Sequence, residues 1–186
     1  NAMATLLPWN EAALQLQARV NWLHRQQPEV WPDFSDAALN ASIDEWLTPY
    51  LDGVYNANGL ARLDLTQILR SHLAWNLQQQ LDALAPASWE LPTGSHPHLD
   101  YAAENGPVLR ARMQEFYGLR EHPALPGGQT LLLELLSPAH RPLQITRDLP
   151  GFWKGSYRDV AKDMKGRYPR HYWPDNPMEA QATTRT

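Results

Sequence analysis

The positive charge of this chain is concentrated where it could meet an anion. Residues 141–172 hold eight Lys/Arg against three Asp, a net +5, while residues 1–140 hold seven Lys/Arg against fifteen Asp/Glu, a net −8. Lys154, Arg158, Lys162 and Lys165 recur at helical spacing and form one basic stripe. Arg167, Tyr168, Arg170, His171 and Tyr172 follow, cations and rings interleaved, and Arg141 opens the basic segment. Lysine and arginine neutralise phosphates, and exposed rings stack on unpaired bases. The expected chemistry is therefore contact with nucleic acid through these ten side chains. Trp153, Tyr157, Val160 and Met164 also repeat at helical spacing, but that stripe reads as the buried side of the same helix. Tyr168 and Tyr172 lie outside it and are the better stacking candidates.

Catalytic signatures do not accompany this charge. The sequence has no GxxxxGK[ST] phosphate loop, no DExH, no GxSxG elbow and no HExxH. With no cysteine, disulfides, thiol catalysis and thiolate zinc sites are excluded. His96, His98 and Asp100 alternate along one strand face, yet without a further ligand they read as surface side chains around the turn at Pro97. Asp44 and Glu45 point to different sides of a helix and make no acid–base pair. No catalytic residue and no metal site is expected. The chain also contains no apolar run of the length a membrane helix needs, so no membrane partner is expected.

These residues need elements to position them, and the chain changes character at Pro86. Before it, helices are expected: one capped by Asn10, one capped by Ser35 and limited by Pro49, one opened by an Asp64/Gln67 capping box, and one along Leu73, Leu77, Leu81 and Leu84. Their apolar stripes can bury one another as a small bundle. Beyond Pro86, strands are expected around Trp89–Leu91, His98–Tyr101, Thr130–Leu136 and Leu143–Thr146, the last two joined by the turn Ser137–Pro142. A helix is expected from Asn105 and Pro107 to Gly118, and another from the cap Asp148 to Gly166. The fold class is α+β: a helical subdomain over 3–86, a β-rich subdomain over 87–178, barrel-like in one reading and closed by the amphipathic C-terminal helix, and a disordered tail over 179–186. Asn1-Ala2-Met3 reads as a cloning remnant followed by a methionine.

Several stretches resemble the C-terminal region of the HrpB family of bacterial ATP-dependent helicases. They are Pro8-Trp9-Asn10-Glu11-Ala12-Ala13 with Leu16-Gln17-Ala18-Arg19; Leu91-Pro92-Thr93-Gly94 followed by Asp100-Tyr101; Arg112, Gln114-Glu115-Phe116 and Gly118; and the long run from Leu135 to Pro177. Arg170 stands where the family often has Lys, Asn176 where Asp is usual, and His140 at a turn position that varies. The resemblance implies a parent enzyme of the DExH-box superfamily 2 type, thought to act on RNA in the cytoplasm. Its ATP and magnesium would bind motor domains that this chain does not contain. With Met3 as a native start, the chain would instead be a free-standing relative without a motor.

Two functions follow as expectations. In the first, the chain is an accessory region contacting RNA or single-stranded nucleic acid through the basic segment. In the second, it docks or braces the motor domains of the same parent chain through its acidic helical half, with no direct nucleic-acid contact.

Overall fold

The structure is a computed structural model, and it describes residues 6–185; the expected remnant Asn1-Ala2-Met3 lies outside them. The chain divides into two compact units, one up to Ala87 and one from Ser88.

The first unit is helical. It contains α1 (Glu11–Gln26), α2 (Asp36–Ala41), α3 (Ile43–Trp46), a 3-10 turn (Thr48–Tyr50), α4 (Ala57–Ala61), α5 (Leu65–Ser71) and α6 (Trp75–Leu84). The caps act as their residue types dictate. Asn10 accepts from the N–H of Ala13 at 2.9 Å, Ser35 from that of Ala38 at 3.2 Å, and Asp64 from that of Gln67 at 3.1 Å. The Gln67 side chain turns instead to Ser71 Oγ, so the capping box is half closed. The helix expected after Ser35 is two short helices, because the Ser42 side chain bonds back to Ala38 O and its N–H closes the first helix. α4 had no apolar stripe to reveal it; the Asn56 side chain caps it locally.

The core of this unit runs through Leu16, Val20, Leu23, Trp31, Phe34, Leu65, Leu69 and Leu81. One cation is buried among them. Arg19 is 4% exposed, and its Nε donates to Ala85 O at 2.7 Å while Nη2 donates to Asp82 Oδ1 at 2.7 Å. That arginine ties α1 to the end of α6.

In the second unit, β1 (Val108–Arg112), β2 (Leu132–Leu136) and β3 (Pro142–Thr146) form an open sheet in that order. β1 runs parallel to β2, with Val108 opposite Leu132, and β2 antiparallel to β3, with Leu133 opposite Thr146. The sheet does not take the barrel-like form that the sequence left open, since β1 and β3 remain its edges among the described residues. The expected hairpin turn is present: Ser137 N–H donates to Arg141 O and His140 takes a φ of 62°. The helix expected from Asn105 to Gly118 is not formed. Those residues make β1 and a 3-10 turn (Met113–Phe116), because Leu109 and Ala111 face inward while Arg110 faces out to Asp100 and Glu134. At Trp89–Leu91 and His98–Tyr101 there are only isolated bridges, Ser88 with His98 and Asp100 with Val108.

The expected final helix is broken in two, α7 (Leu149–Lys154) and α8 (Tyr157–Arg167). Gly155 holds the break; a Cβ there would lie 3.0 Å from Gly151 O. Finally, the tail read as disordered is tethered in the structure. Thr183 N–H donates to Gln114 O, and Thr184 O and Arg185 O accept from Arg112 and Gln114. The tail enters these bonds through its main chain, so no pattern in its own side chains announced them.

Removing the buried cation tests the helical unit. Arg19→Met leaves Ala85 O without its partner and should cost about 2 kcal/mol of unfolding free energy, read by urea unfolding with far-UV circular dichroism. The hydrogen bond from Arg19 holds the Asp82 carboxyl below its ordinary 3.8. That contribution is full above pH 3.8 and is lost as the pH falls through the lowered value, so the parent–variant gap should narrow in acid. A gap independent of pH would contradict this assignment.

Candidate nucleic-acid interface

The basic stripe owes its position to how its helices begin. Asp148 Oδ1 accepts from the N–H of Gly151 at 3.0 Å, and Pro150 sits in the first turn of α7. His122 secures the same point. Its Nδ1 accepts the N–H of Leu149 at 3.0 Å, so the ring proton is on Nε2, which donates to Leu131 O at 2.6 Å.

A wall of aromatic rings then fixes α7, α8 and the segment after them. Tyr117 packs with Trp153 at 5.9 Å, Tyr157 at 6.4 Å and Tyr172 at 5.9 Å between ring centroids, the last two edge to face. Phe152 joins Trp153 and Tyr157. The polar ends of the rings bind main chain. Trp153 Nε1 donates to Leu119 O at 2.9 Å, Tyr117 OH to Tyr172 O at 3.0 Å, Tyr157 OH to Pro174 O at 2.6 Å, and Trp173 Nε1 to Tyr168 O at 2.9 Å. Burial pushes the Tyr157 phenol up to about 12 and raises that of Tyr117 further. Both hydroxyls therefore remain donors at neutral pH.

With Trp153, Tyr157, Ala161 and Met164 buried, the flank of α7 and α8 beside them faces solvent. Lys154, Arg158, Lys162 and Lys165 are all exposed there. Arg158, Lys162 and Lys165 line a groove of about 330 Å³ whose far wall is Pro174 and Asp175. Lys165 Nζ stands 3.8 Å from Asp175 Oδ1, a surface pair of little strength. Arg170, His171 and Tyr172 line a second groove, about 620 Å³, with tail residues Gln181 to Thr183 and Arg185. Tyr172 is 51% exposed, its ring perpendicular to that of Tyr117.

The structure thus groups six of the ten expected residues into two grooves. Lys154 lies at the end of α7 outside both, and Arg141 belongs to the β2–β3 turn. Arg167 turns to Asp163 at 3.7 Å. Tyr168 is half-buried, its ring edge-on to His171 at 5.7 Å, which suits a structural role better than stacking. The tail, expected to be disordered, forms the other wall of the second groove, Arg185 included. Among the described residues, no three His, Asp or Glu come together as metal ligands, and the sequence has no phosphate loop. The residues present do not fit a magnesium–ATP site.

The family model described as ATP-dependent helicase C-terminal (HrpB_C) matches residues 46–177. The ATP-dependent RNA helicase HrpB of Escherichia coli strain K12 is 47% identical over 184 residues, covering 98% of this chain and 23% of that protein. A crystal structure of the E. coli DExH-box NTPase HrpB superposes with a TM-score of 0.87 at 47% identity, over 98% of this chain and 23% of its own. Another, of the E. coli DEAH/RHA helicase HrpB, gives 0.72 at 46% identity, over 91% and 22%. The chain belongs to the C-terminal region family of the HrpB ATP-dependent helicases. It spans about a quarter of the length of the relatives it matches.

The aromatic wall makes a measurable claim. Alkaline absorbance titration of the folded chain should show a late-ionising phenol with a midpoint of about 12 that Tyr157→Phe removes. Keeping this phenol neutral stabilises the fold fully below pH 10.0, and that stabilisation is lost as the pH rises through about 12. A Tyr157 midpoint at 10 would mean the ring is not buried as described.

Proposed function

We propose that this region contacts RNA or another single-stranded nucleic acid through its second unit, as an accessory surface of an ATP-dependent helicase. One observation carries the reading: Arg158, Lys162 and Lys165 line one exposed groove while the apolar side of the same helix is buried. A row of cations along a groove suits a phosphate backbone, and Tyr172 beside the neighbouring groove offers a face for an unpaired base. On this reading ATP, magnesium and strand separation belong to the remainder of the longer family chains, whose motor domains are this region's partners. On the same reading the setting is the bacterial cytoplasm. Separately, no described helix is long and apolar enough to cross a membrane.

A second reading has an observation of its own. The first unit holds four Lys/Arg against nine Asp/Glu up to Ala87 and exposes Trp75 (72%) and Tyr55 (91%). Such side chains on an acidic surface suit docking to, or bracing of, basic motor domains.

Fluorescence anisotropy with a labelled single-stranded RNA separates the two. Three phosphate contacts on a single strand predict a slope near −2 in log K against log salt, or about a 20-fold loss of affinity from 50 to 200 mM salt. Lys162→Glu with Lys165→Glu should abolish that binding without unfolding the chain. Absent binding at low salt, or binding indifferent to both substitutions, would contradict the basic-face reading and favour docking.

A further inference from the structure

Arg112 and Gln114 occupy one of the stretches that resemble the helicase family, yet contact through the α8 face makes no use of them. Both are engaged by the tail. Gln114 O accepts from Thr183 N–H at 3.2 Å, its Nε2 donates to Arg185 O at 2.8 Å, and Arg112 Nη2 donates to Thr184 O at 2.8 Å. Gln114 is 2% exposed, so its amide is spent on the tail. Arg112 Nε is buried with no hydrogen-bond partner, an unsatisfied guanidinium donor beneath the tail.

The hold on the tail is slight. Residues 179–185 read Glu-Ala-Gln-Ala-Thr-Thr-Arg and contain no large apolar side chain. A segment fixed by a few main-chain bonds opens locally, at far less cost than the unit unfolds. It also lies at the functional surface, because Gln181 to Thr183 and Arg185 share the groove of Arg170, His171 and Tyr172. The donors beneath it address carbonyl oxygens, not particular side chains. A guanidinium and an amide that bind carbonyls serve equally for phosphate oxygens and base carbonyls.

We propose that Arg112 and Gln114 form a covered extension of the nucleic-acid site, with residues 180–185 a strap that a single strand displaces to reach them. This inference rests on the basic-face reading and deepens it. The strand would run from the Arg170–Tyr172 groove onto these two donors, so binding and opening of the strap are linked. Only the fraction of molecules with the strap open offers the full site, and holding it open raises the apparent affinity.

Two variants of the 186-residue chain test this with fluorescein-labelled oligouridylate at low salt. Thr183→Pro removes the N–H that bonds Gln114 O, and a chain ending at Glu179 removes the strap. Both should bind about fivefold or more tightly than the parent, and Arg112→Gln in the shortened chain should remove the gain. Thermal unfolding checks that each variant stays folded; if the shortened chain melts early, Thr183→Pro carries the test. Equal or weaker binding by folded variants would overturn the covered extension alone. Failure of the parent and both variants to bind would overturn the basic-face reading, and this inference with it.

Discussion

The hydroxyl of Tyr117 donates to the main-chain oxygen of Tyr172 from inside a wall of rings, and the surface of the second unit depends on that bond. Tyr117 follows the 3-10 turn after β1, while Tyr172 lies beyond α8, so one phenol joins the sheet side of the unit to its final segment. Tyr157 repeats the device one step on, to Pro174 O. Because burial raises both phenols, neither gives up its proton near neutral pH. The rings bury one side of α8; Arg158, Lys162 and Lys165 flank that side, and Asp159 and Asp163 are exposed farther round. The place of the basic flank thus follows from burial of the aromatic one.

The stretches that resemble the helicase family are stitched together in the same unit. Leu91-Pro92-Thr93-Gly94 forms a turn closed by Gly94 N–H to Leu91 O. The hydroxyls of Thr93 and Ser95 then reach Glu115 Oε1 at 3.2 and 2.7 Å, joining this turn to the Gln114-Glu115-Phe116 stretch. Gly118 takes a φ of 88° and donates to Pro177 O at 2.8 Å, which joins that stretch to the end of the long run. A Cβ at Gly118 would also meet Ala180 O at 3.0 Å. Distant pieces of sequence thus share one hydrogen-bonded frame, and the frame positions the grooves.

Legibility in the sequence followed the range of the interactions. Asn10, Ser35, Asp64 and Asp148 each cap as their local sequence predicts, because a cap is decided within three residues. The buried stripe of α8 and the basic stripe beside it were legible for the same reason. Helix period misled at Leu109, where pairing of β1 with β2 overrode the local pattern, and at Met113 and Phe116, which fall in the 3-10 turn. The single helix expected to Gly166 failed at Gly155, whose backbone closes α7. Spacing placed Arg158, Lys162 and Lys165, which one groove groups, on one flank of α8. It could not foresee Arg185, or that Tyr168 would turn to His171, since contacts between the tail, the 3-10 turn and the loop leave no periodic trace.

The central claim is that nucleic acid meets the α8 face and the loop that follows it. Photocrosslinking a 4-thiouridine-containing single strand to the chain, with the adducts located by mass spectrometry, tests it most directly. The account predicts adducts within residues 154–173, with Tyr172 among them. Adducts confined to the helical unit before Ala87, under conditions where the strand binds, would contradict it.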